Sequence, residues 1–87
     1  MVIIYGPKFI REYKKLPKEI KYLAEKIEEV FRLNPFHPKL KTHKLKGKLN
    51  GLFSLSIGQK YRIIFEFDIH DQQKIYFHKV GNHDVYQ

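Results

Sequence analysis

Cysteine is missing from the 87-residue sequence, and so are long hydrophobic runs. Without cysteine there can be no disulfide bridge, thiolate zinc site or cysteine nucleophile. The N-terminal stretch MVIIYGPKF has a brief apolar run that proline and lysine follow, which fits neither a signal peptide nor a membrane span. We therefore expect a single cytoplasmic domain over residues 1–87, with no membrane partner.

The common catalytic motifs are missing as well. The sequence contains no glycine-rich phosphate loop and no serine elbow, which argues against nucleotide-binding proteins and conventional hydrolases. Glu66 and Asp68, which could work as a pair or hold magnesium, lie near an arginine and are expected to be solvated. The five histidines show none of the close pairings of metal ligands: they are His37, His43, His70, His78 and His83. We expect neither a metal nor a cofactor.

Positive charge is concentrated in the N-terminal part of the chain. Residues 1–50 hold 13 Lys or Arg against 5 Glu, whereas residues 51–87 hold four of each sign, and the formal net charge is +8. Between residues 39 and 48, which we call the lysine stripe, five lysines alternate with other residues, His43 lies among them, and no carboxylate intervenes. A nucleic acid or an acidic protein segment is the expected partner; the alternative is a solvated face that keeps the protein soluble.

Apolar spacing in the N-terminal half predicts a strand and two helices. Residues 2–5, VIIY, form a short β-branched segment that is typical of a strand and that Gly6 ends. Helical spacing predicts one helix from about Pro7 and a second from Pro17 to Asn34. Because the connection between them is so short, the two helices should form an antiparallel hairpin.

Three further strands are predicted in the C-terminal half. Asn50-Gly51 favours a two-residue turn with strands on both sides, since both central positions of such a turn need positive φ. Alternating apolar residues predict strands at 52–57, 61–69 and 74–80. The order β-α-α-β-β-β indicates an α+β fold with an N-terminal strand, a helical hairpin and a three-stranded antiparallel meander. One face of the sheet should stay partly open, with Arg62 on the side away from the larger apolar stripe.

With these classes excluded, the residues that could carry out catalysis are Arg, Lys, His and Tyr, without a metal. Such a set suits RNA: a base removes the 2′-hydroxyl proton, cations stabilise the charged phosphorane, and an acid protonates the leaving 5′-oxygen. DNA lacks that hydroxyl, so RNA is the expected substrate. The C-terminal HKVGNHDVYQ, residues 78–87, gathers a histidine, a carboxylate and a phenol, and it is either a turn that closes the sheet or the edge of an active site.

Motifs along nearly the whole chain, in their order and spacing, resemble the RelE/ParE toxin superfamily: KLPKEI, HKLKGKLNG, SIGQKYRIIFEF and VGNHDVY. The resemblance is strongest to the RelE and YafQ-like ribosome-dependent mRNA interferases of type II toxin–antitoxin systems. It implies the RelE-like fold, a helical hairpin on a small antiparallel sheet, and a cytoplasmic toxin that an antitoxin holds inactive. The implied partners are a cognate antitoxin, the ribosome and mRNA, with operator DNA bound only through the toxin–antitoxin complex. Free of antitoxin, we expect a monomer.

The resemblance also implies candidate site residues. The family's strand arginine matches Arg62, which would stabilise phosphate charge; a cross-strand contact with Glu66 or a neighbouring carboxylate is the alternative. The family's residue after the last strand matches His83, a candidate general acid or base. The near-terminal aromatic residue matches Tyr86, a candidate for base stacking or proton transfer. A family histidine matches His43.

Four lysines and two serines also bear on the resemblance to this family. The expected RNA-binding residues are Lys44, Lys46, Lys48 and Lys60. On the strand where RelE-like members carry lysines and YafQ-like members a histidine, this sequence has Ser54 and Ser56, so Lys60 or Lys48 would have to supply the missing group. His78, inside a strand, is expected to be structural, and Asp84 to cap a turn or orient a histidine.

Two other functions stay open. ParE-like toxins of the same fold inhibit DNA gyrase by binding, with no nuclease chemistry. A catalytically degenerate toxin would serve only as a basic module that binds antitoxin and represses an operator. The set of Arg62, His83 and Tyr86 favours the nuclease, and the two serines favour the other functions.

Overall fold

The computed structural model describes residues 1–86, with the backbone alone described at His83 and Asp84. The helices are α1 (Pro7–Lys14) and α2 (Lys18–Leu33), and the strands are β1 (Val2–Tyr5), β2 (His43–Lys44), β3 (Phe53–Ile57), β4 (Tyr61–Phe67) and β5 (Lys74–Gly81). Short 3-10 helices lie at Pro38–Leu40, Gly47–Leu49 and His83–Tyr86. The strands form a sheet in the order β1-β5-β4-β3-β2, in which β1 runs parallel to β5 and the other pairs are antiparallel. The predicted α+β fold is confirmed, with β2 as an additional short strand.

Proline sets the start of both helices. Pro7 occupies the first turn of α1, where its missing N–H leaves no helical bond unmade. Pro17 is extended and precedes α2, which therefore begins at Lys18, one residue later than predicted. In the part of the chain that the structure describes, neither helix has the length and apolar character needed to cross a membrane.

The helices bury one face of the sheet. Phe31 of α2 lies edge-on against Phe65 of β4 and Phe77 of β5, with ring centroids 5.0 and 5.4 Å apart. All three side chains are almost fully buried, and burial of each such ring contributes about 1.5–3 kcal/mol. The alternation predicted for β4 is confirmed, since Ile63 and Phe65 belong to the core and Arg62, between core positions, faces the other side. We call that other side the open face.

Asn50-Gly51 does not form the predicted hairpin turn. Asn50 has φ −55° and ψ 136°, Gly51 has φ 93°, and the Leu52 N–H donates to the Leu49 carbonyl at 3.0 Å. These are the features of a type II turn, which needs positive φ at one central position instead of two. The Gly47–Leu49 helix precedes the turn, and Gly47, with φ 66°, takes the chain out of the extended conformation that follows β2.

β4 ends at Phe67 rather than at residue 69. The Asp68 carboxylate accepts the backbone N–H groups of His70 and Asp71, at 2.9 and 3.0 Å, which turns the chain out of the sheet. Ile69, which the alternation placed inside the strand, is 86% exposed. Local side-chain acceptors therefore outweigh one more apolar position in setting the end of the strand.

Candidate functional site

The open face is built from alternate residues of β3, β4 and β5. Two rows of directly opposed residues cross it: Ser54–Ile64–Lys79 and Ser56–Arg62–Gly81. Directly opposed residues of antiparallel strands share a face, with Cβ atoms about 5 Å apart. Arg62 is therefore the neighbour of Ser56 and lies diagonally from Ser54.

β2 brings His43 to the edge of this face. His43 pairs with Ser54, whereas Lys44 pairs with Phe53, a residue that packs against the core. Successive residues of a strand point to opposite faces, so His43 lies on the open face and Lys44 on the helical side. The His43 Nδ1–H donates to the Lys41 carbonyl oxygen at 3.1 Å, which leaves Nε2 as the acceptor of a neutral ring.

The C-terminal helix, His83–Tyr86, folds back over the open face. Val85 is buried, and the Tyr86 hydroxyl lies 2.9 Å from Oγ of Ser54 on β3. Ser54 is fully buried and Ser56 is only 7% exposed, so the two serines form a covered floor rather than a free polar edge. His83 begins this helix, but its side chain, like that of Asp84, lies outside the described part of the structure.

Arg62 lies partly buried in the open face. Its Nη1 donates to the Tyr61 carbonyl at 2.8 Å. The expected cross-strand contact with Glu66 is wrong, because Glu66 lies on the same strand, β4, and it accepts from His78 instead. Since a guanidinium has five N–H donors, one bond to a carbonyl leaves the group able to bind a phosphate oxygen.

His78 forms an accessible hydrogen-bonded pair on this face that the sequence did not predict. The register passes from Ile64 opposite Lys79 to Phe65 opposite Phe77, so His78 is the extra residue of a β-bulge. Its Nε2–H donates to Glu66 Oε1 at 2.7 Å, and the two side chains are 38% and 36% exposed. The expectation that His78 is only structural did not anticipate this accessible pair, because a bulge leaves no mark in the residue types around it.

The predicted RNA-binding lysines are all exposed. Lys46 and Lys48 belong to the segment between β2 and β3, and Lys60 to the turn between β3 and β4, close in sequence to Arg62. Lys44 is exposed on the helical side. Among the side chains that the structure describes, no three histidine or carboxylate groups converge as a metal site would require.

The comparison with family models matches residues 3–85, almost the whole chain, to the ParE toxin of type II toxin–antitoxin systems, parDE. Among curated proteins, no sequence match is found. Solved structures share the fold over the same extent of chain.

Three of these structures illustrate the similarity. YafQ from E. coli has a TM-score of 0.78 at 16% identity, over 97% of this chain and 94% of its own. The YoeB/ParE toxin from Agrobacterium tumefaciens has a TM-score of 0.79 at 16% identity, over 95% and 99% of the two chains. The archaeal RelE–RelB complex from Pyrococcus horikoshii gives 0.73 at 20% identity, over 93% and 92%. At these identities the structures establish a common fold.

Proposed function

We propose that this chain, which belongs to the ParE toxin family of type II toxin–antitoxin systems, is an endoribonuclease toxin that cleaves mRNA during translation on the ribosome. The observation that carries the proposal is the arrangement of the open face. Arg62 is diagonal to Ser54, His43 is directly opposite Ser54, and the Tyr86 hydroxyl is bonded to Ser54. A cation, an imidazole and a phenol thus surround one residue. These are the chemical groups that metal-free RNA cleavage uses.

In the proposed reaction the substrate supplies its own nucleophile. A base, His43 or His83, takes the proton of a 2′-hydroxyl, the 2′-oxygen bonds to phosphorus, and the bond from phosphorus to the 5′-oxygen breaks. Arg62 stabilises the charge that develops on the phosphate oxygens. Tyr86 or the other histidine gives a proton to the departing 5′-oxygen, which leaves a 2′,3′-cyclic phosphate and a 5′-hydroxyl.

Basic residues outside this centre would hold the RNA and the antitoxin. Lys46 and Lys48, between β2 and β3, and Lys60, between β3 and β4, are exposed and suit contacts with phosphates. The lysine stripe also suits an acidic segment of a cognate antitoxin, and solved complexes of similar toxins contain RelB and YefM. We propose that operator DNA is bound only through the toxin–antitoxin complex.

The test is to map the 5′ ends of a message incubated with purified protein, with and without translating ribosomes, in EDTA. Defined cuts that need ribosomes, survive EDTA and disappear in Arg62→Ala are the expected result. Lys26→Ala, an exposed cation on α2 far in sequence from the site, is the matched control and should cut normally. Cutting by Arg62→Ala at the wild-type rate would rule out the proposed centre.

A second candidate function is inhibition of DNA gyrase by binding. It is favoured by the match to the ParE toxin model and by the covered serines at the positions where nuclease relatives carry lysines or a histidine. Purified protein that blocks gyrase supercoiling and leaves every message whole would select this function. Failure of both assays would leave the chain as a degenerate module that only binds antitoxin.

A further inference from the structure

A groove with a volume of about 380 Å³ lies on the open face beside the C-terminal helix. Its apolar lining comes from Leu49, Leu52, Ile64 and Val85. Ile64 is two residues after Arg62 on the same strand and the same face, so their Cα atoms are about 7 Å apart. The groove therefore adjoins the proposed catalytic centre and is wide enough for a small organic ligand.

The rim of this groove is basic. Lys8 of α1, His78 and Lys79 line it, together a set that suits a phosphate group. Glu66 does not itself line the groove, but its Oε1 accepts from Nε2–H of the lining His78 at 2.7 Å, so the carboxylate lies directly beside the groove and its Oε2 keeps the capacity to accept a hydrogen bond. An apolar floor, a cationic rim and one hydrogen-bond acceptor match the three parts of a nucleotide: base face, phosphate and base edge.

We propose that the groove binds one nucleotide of the RNA next to the cut, and that the His78–Glu66 pair reads its base. This inference rests on the proposed endoribonuclease function. The base lies on Leu49 and Leu52, the partly exposed apolar residues of the groove, and its phosphate lies against Lys8 and Lys79. A carboxylate oxygen accepts from an exocyclic amino group, whereas it repels the O4 carbonyl of uracil. The groove therefore takes cytosine, adenine or guanine in preference to uracil.

The direct test titrates the intact protein with CMP and with UMP and follows backbone amide shifts by NMR. The two nucleotides differ at the base edge, amino against carbonyl, and have the same phosphate. We expect shifts at Leu52, Ile64 and Lys79, and binding of CMP about tenfold or more tighter than that of UMP, as one hydrogen bond to a charged acceptor provides. Shifts confined to other surfaces, or equal affinity for both nucleotides, would overturn the proposal.

Variants separate base reading from phosphate binding. Glu66→Gln replaces an acceptor oxygen by a donor NH₂ and should abolish or reverse the preference for CMP. Lys8→Ala should weaken both nucleotides to the same degree, and Glu29→Gln, exposed on α2, is the matched control that should change neither. A Glu66→Gln protein that folds normally and keeps the wild-type preference would contradict the assignment.

Cleavage mapping distinguishes this inference from the function on which it rests. In Glu66→Gln, the bases found at one position beside the cut should shift toward uracil. If the wild-type protein cuts messages, but the variant shows no such shift and the protein has no preference for CMP, the nuclease proposal is supported and the proposed base binding in the groove is wrong. If the protein leaves messages whole and still prefers CMP, the nuclease proposal is wrong and nucleotide binding in the groove is supported.

Discussion

The hydroxyl of Tyr86 lies 2.9 Å from Oγ of Ser54, a bond between residues 32 positions apart in the sequence. Ser54 is fully buried, and it occupies a position where the sequence resemblance led us to expect a lysine or a histidine. The serine therefore fixes the end of the chain over β3 instead of contributing a charge. It places the phenol in the row of the sheet to which His43 also belongs.

Breaking this bond from either side should have unequal effects on stability. Tyr86→Phe leaves the buried Ser54 hydroxyl without its phenol partner, at a cost of about 1–3 kcal/mol in the free energy of unfolding. Ser54→Ala leaves a half-exposed phenol that water can reach, so about 0.5–1.5 kcal/mol is expected. Urea denaturation of the two single variants and the double variant measures this, and strictly additive effects would show that the two hydroxyls do not interact.

Gly81 controls how closely the C-terminal helix approaches β5. A Cβ at this position would lie 3.0 Å from Cγ1 of the buried Val85, so Gly81→Ala should force the helix away and destabilise the protein by about 1–3 kcal/mol. Adding Val85→Ala removes the clashing methyl group, and the double variant should lose less stability than the sum of the two single changes. Thermal or urea unfolding would check this. A double variant that loses as much stability as the two single variants together, or more, would show that the contact with Val85 is not the cause of the destabilisation by Gly81→Ala.

The sequence predicted the parts of the fold that depend on local periodicity. The helices, the alternation on β4 and the position of Arg62 follow from apolar spacing, and they are confirmed. Asn50-Gly51 was interpreted wrongly because glycine with positive φ serves type I′ and type II turns alike. Only the dihedral angles of Asn50, φ −55° and ψ 136°, separate the two, because both turn types share the hydrogen bond from the Leu52 N–H to the Leu49 carbonyl.

The candidate site was predictable only in part, because its remaining contacts are long-range. The bulge at His78 reverses the alternation of one strand, and its bond to Glu66 spans 12 residues. The Ser54–Tyr86 bond depends on where a short helix lands after the sheet is complete. Such contacts follow from tertiary packing and have no residue pattern that a single sequence displays.

The Asp68–Tyr76 pair predicts a pH-dependent stability. The Tyr76 hydroxyl donates to Asp68 at 2.7 Å, and this bond, followed by the His70 backbone N–H, lowers the pKa of the Asp68 carboxyl. Because the pKa is lower in the folded state, the stabilisation is present above the ordinary pKa of about 3.9 and is lost as pH falls through the folded value.

Tyr76→Phe should therefore raise the pKa of Asp68 toward its ordinary value. The variant should be less stable than the wild type at neutral pH, and the difference should shrink in acid. Carboxyl ¹³C NMR titration measures the pKa directly, with Tyr22→Phe, an exposed ring on α2, as the control. An unchanged Asp68 titration in Tyr76→Phe would show that the backbone donors alone set the pKa.

Glu12 closes the edge of β5 where β1 no longer covers it. The register of β1 stops at Tyr5 opposite Phe77, and farther along β5 the Val80 N–H donates to Glu12 Oε1 of α1 at 3.0 Å. Val80 is 2% exposed, so Glu12→Ala leaves a buried donor without its acceptor and should cost about 1–3 kcal/mol.

Glu12→Gln separates the hydrogen bond from the charge, because the amide oxygen can still accept. It should cost less than Glu12→Ala and should keep the Val80 amide slow in hydrogen exchange, whereas the alanine variant should speed that exchange. Gly81 and the C-terminal helix follow Val80 directly, so the alanine variant should also loosen the contact between Tyr86 and Ser54. If Val80 exchanges equally slowly in both variants, the carboxylate is not its acceptor in solution and α1 holds this edge by packing alone.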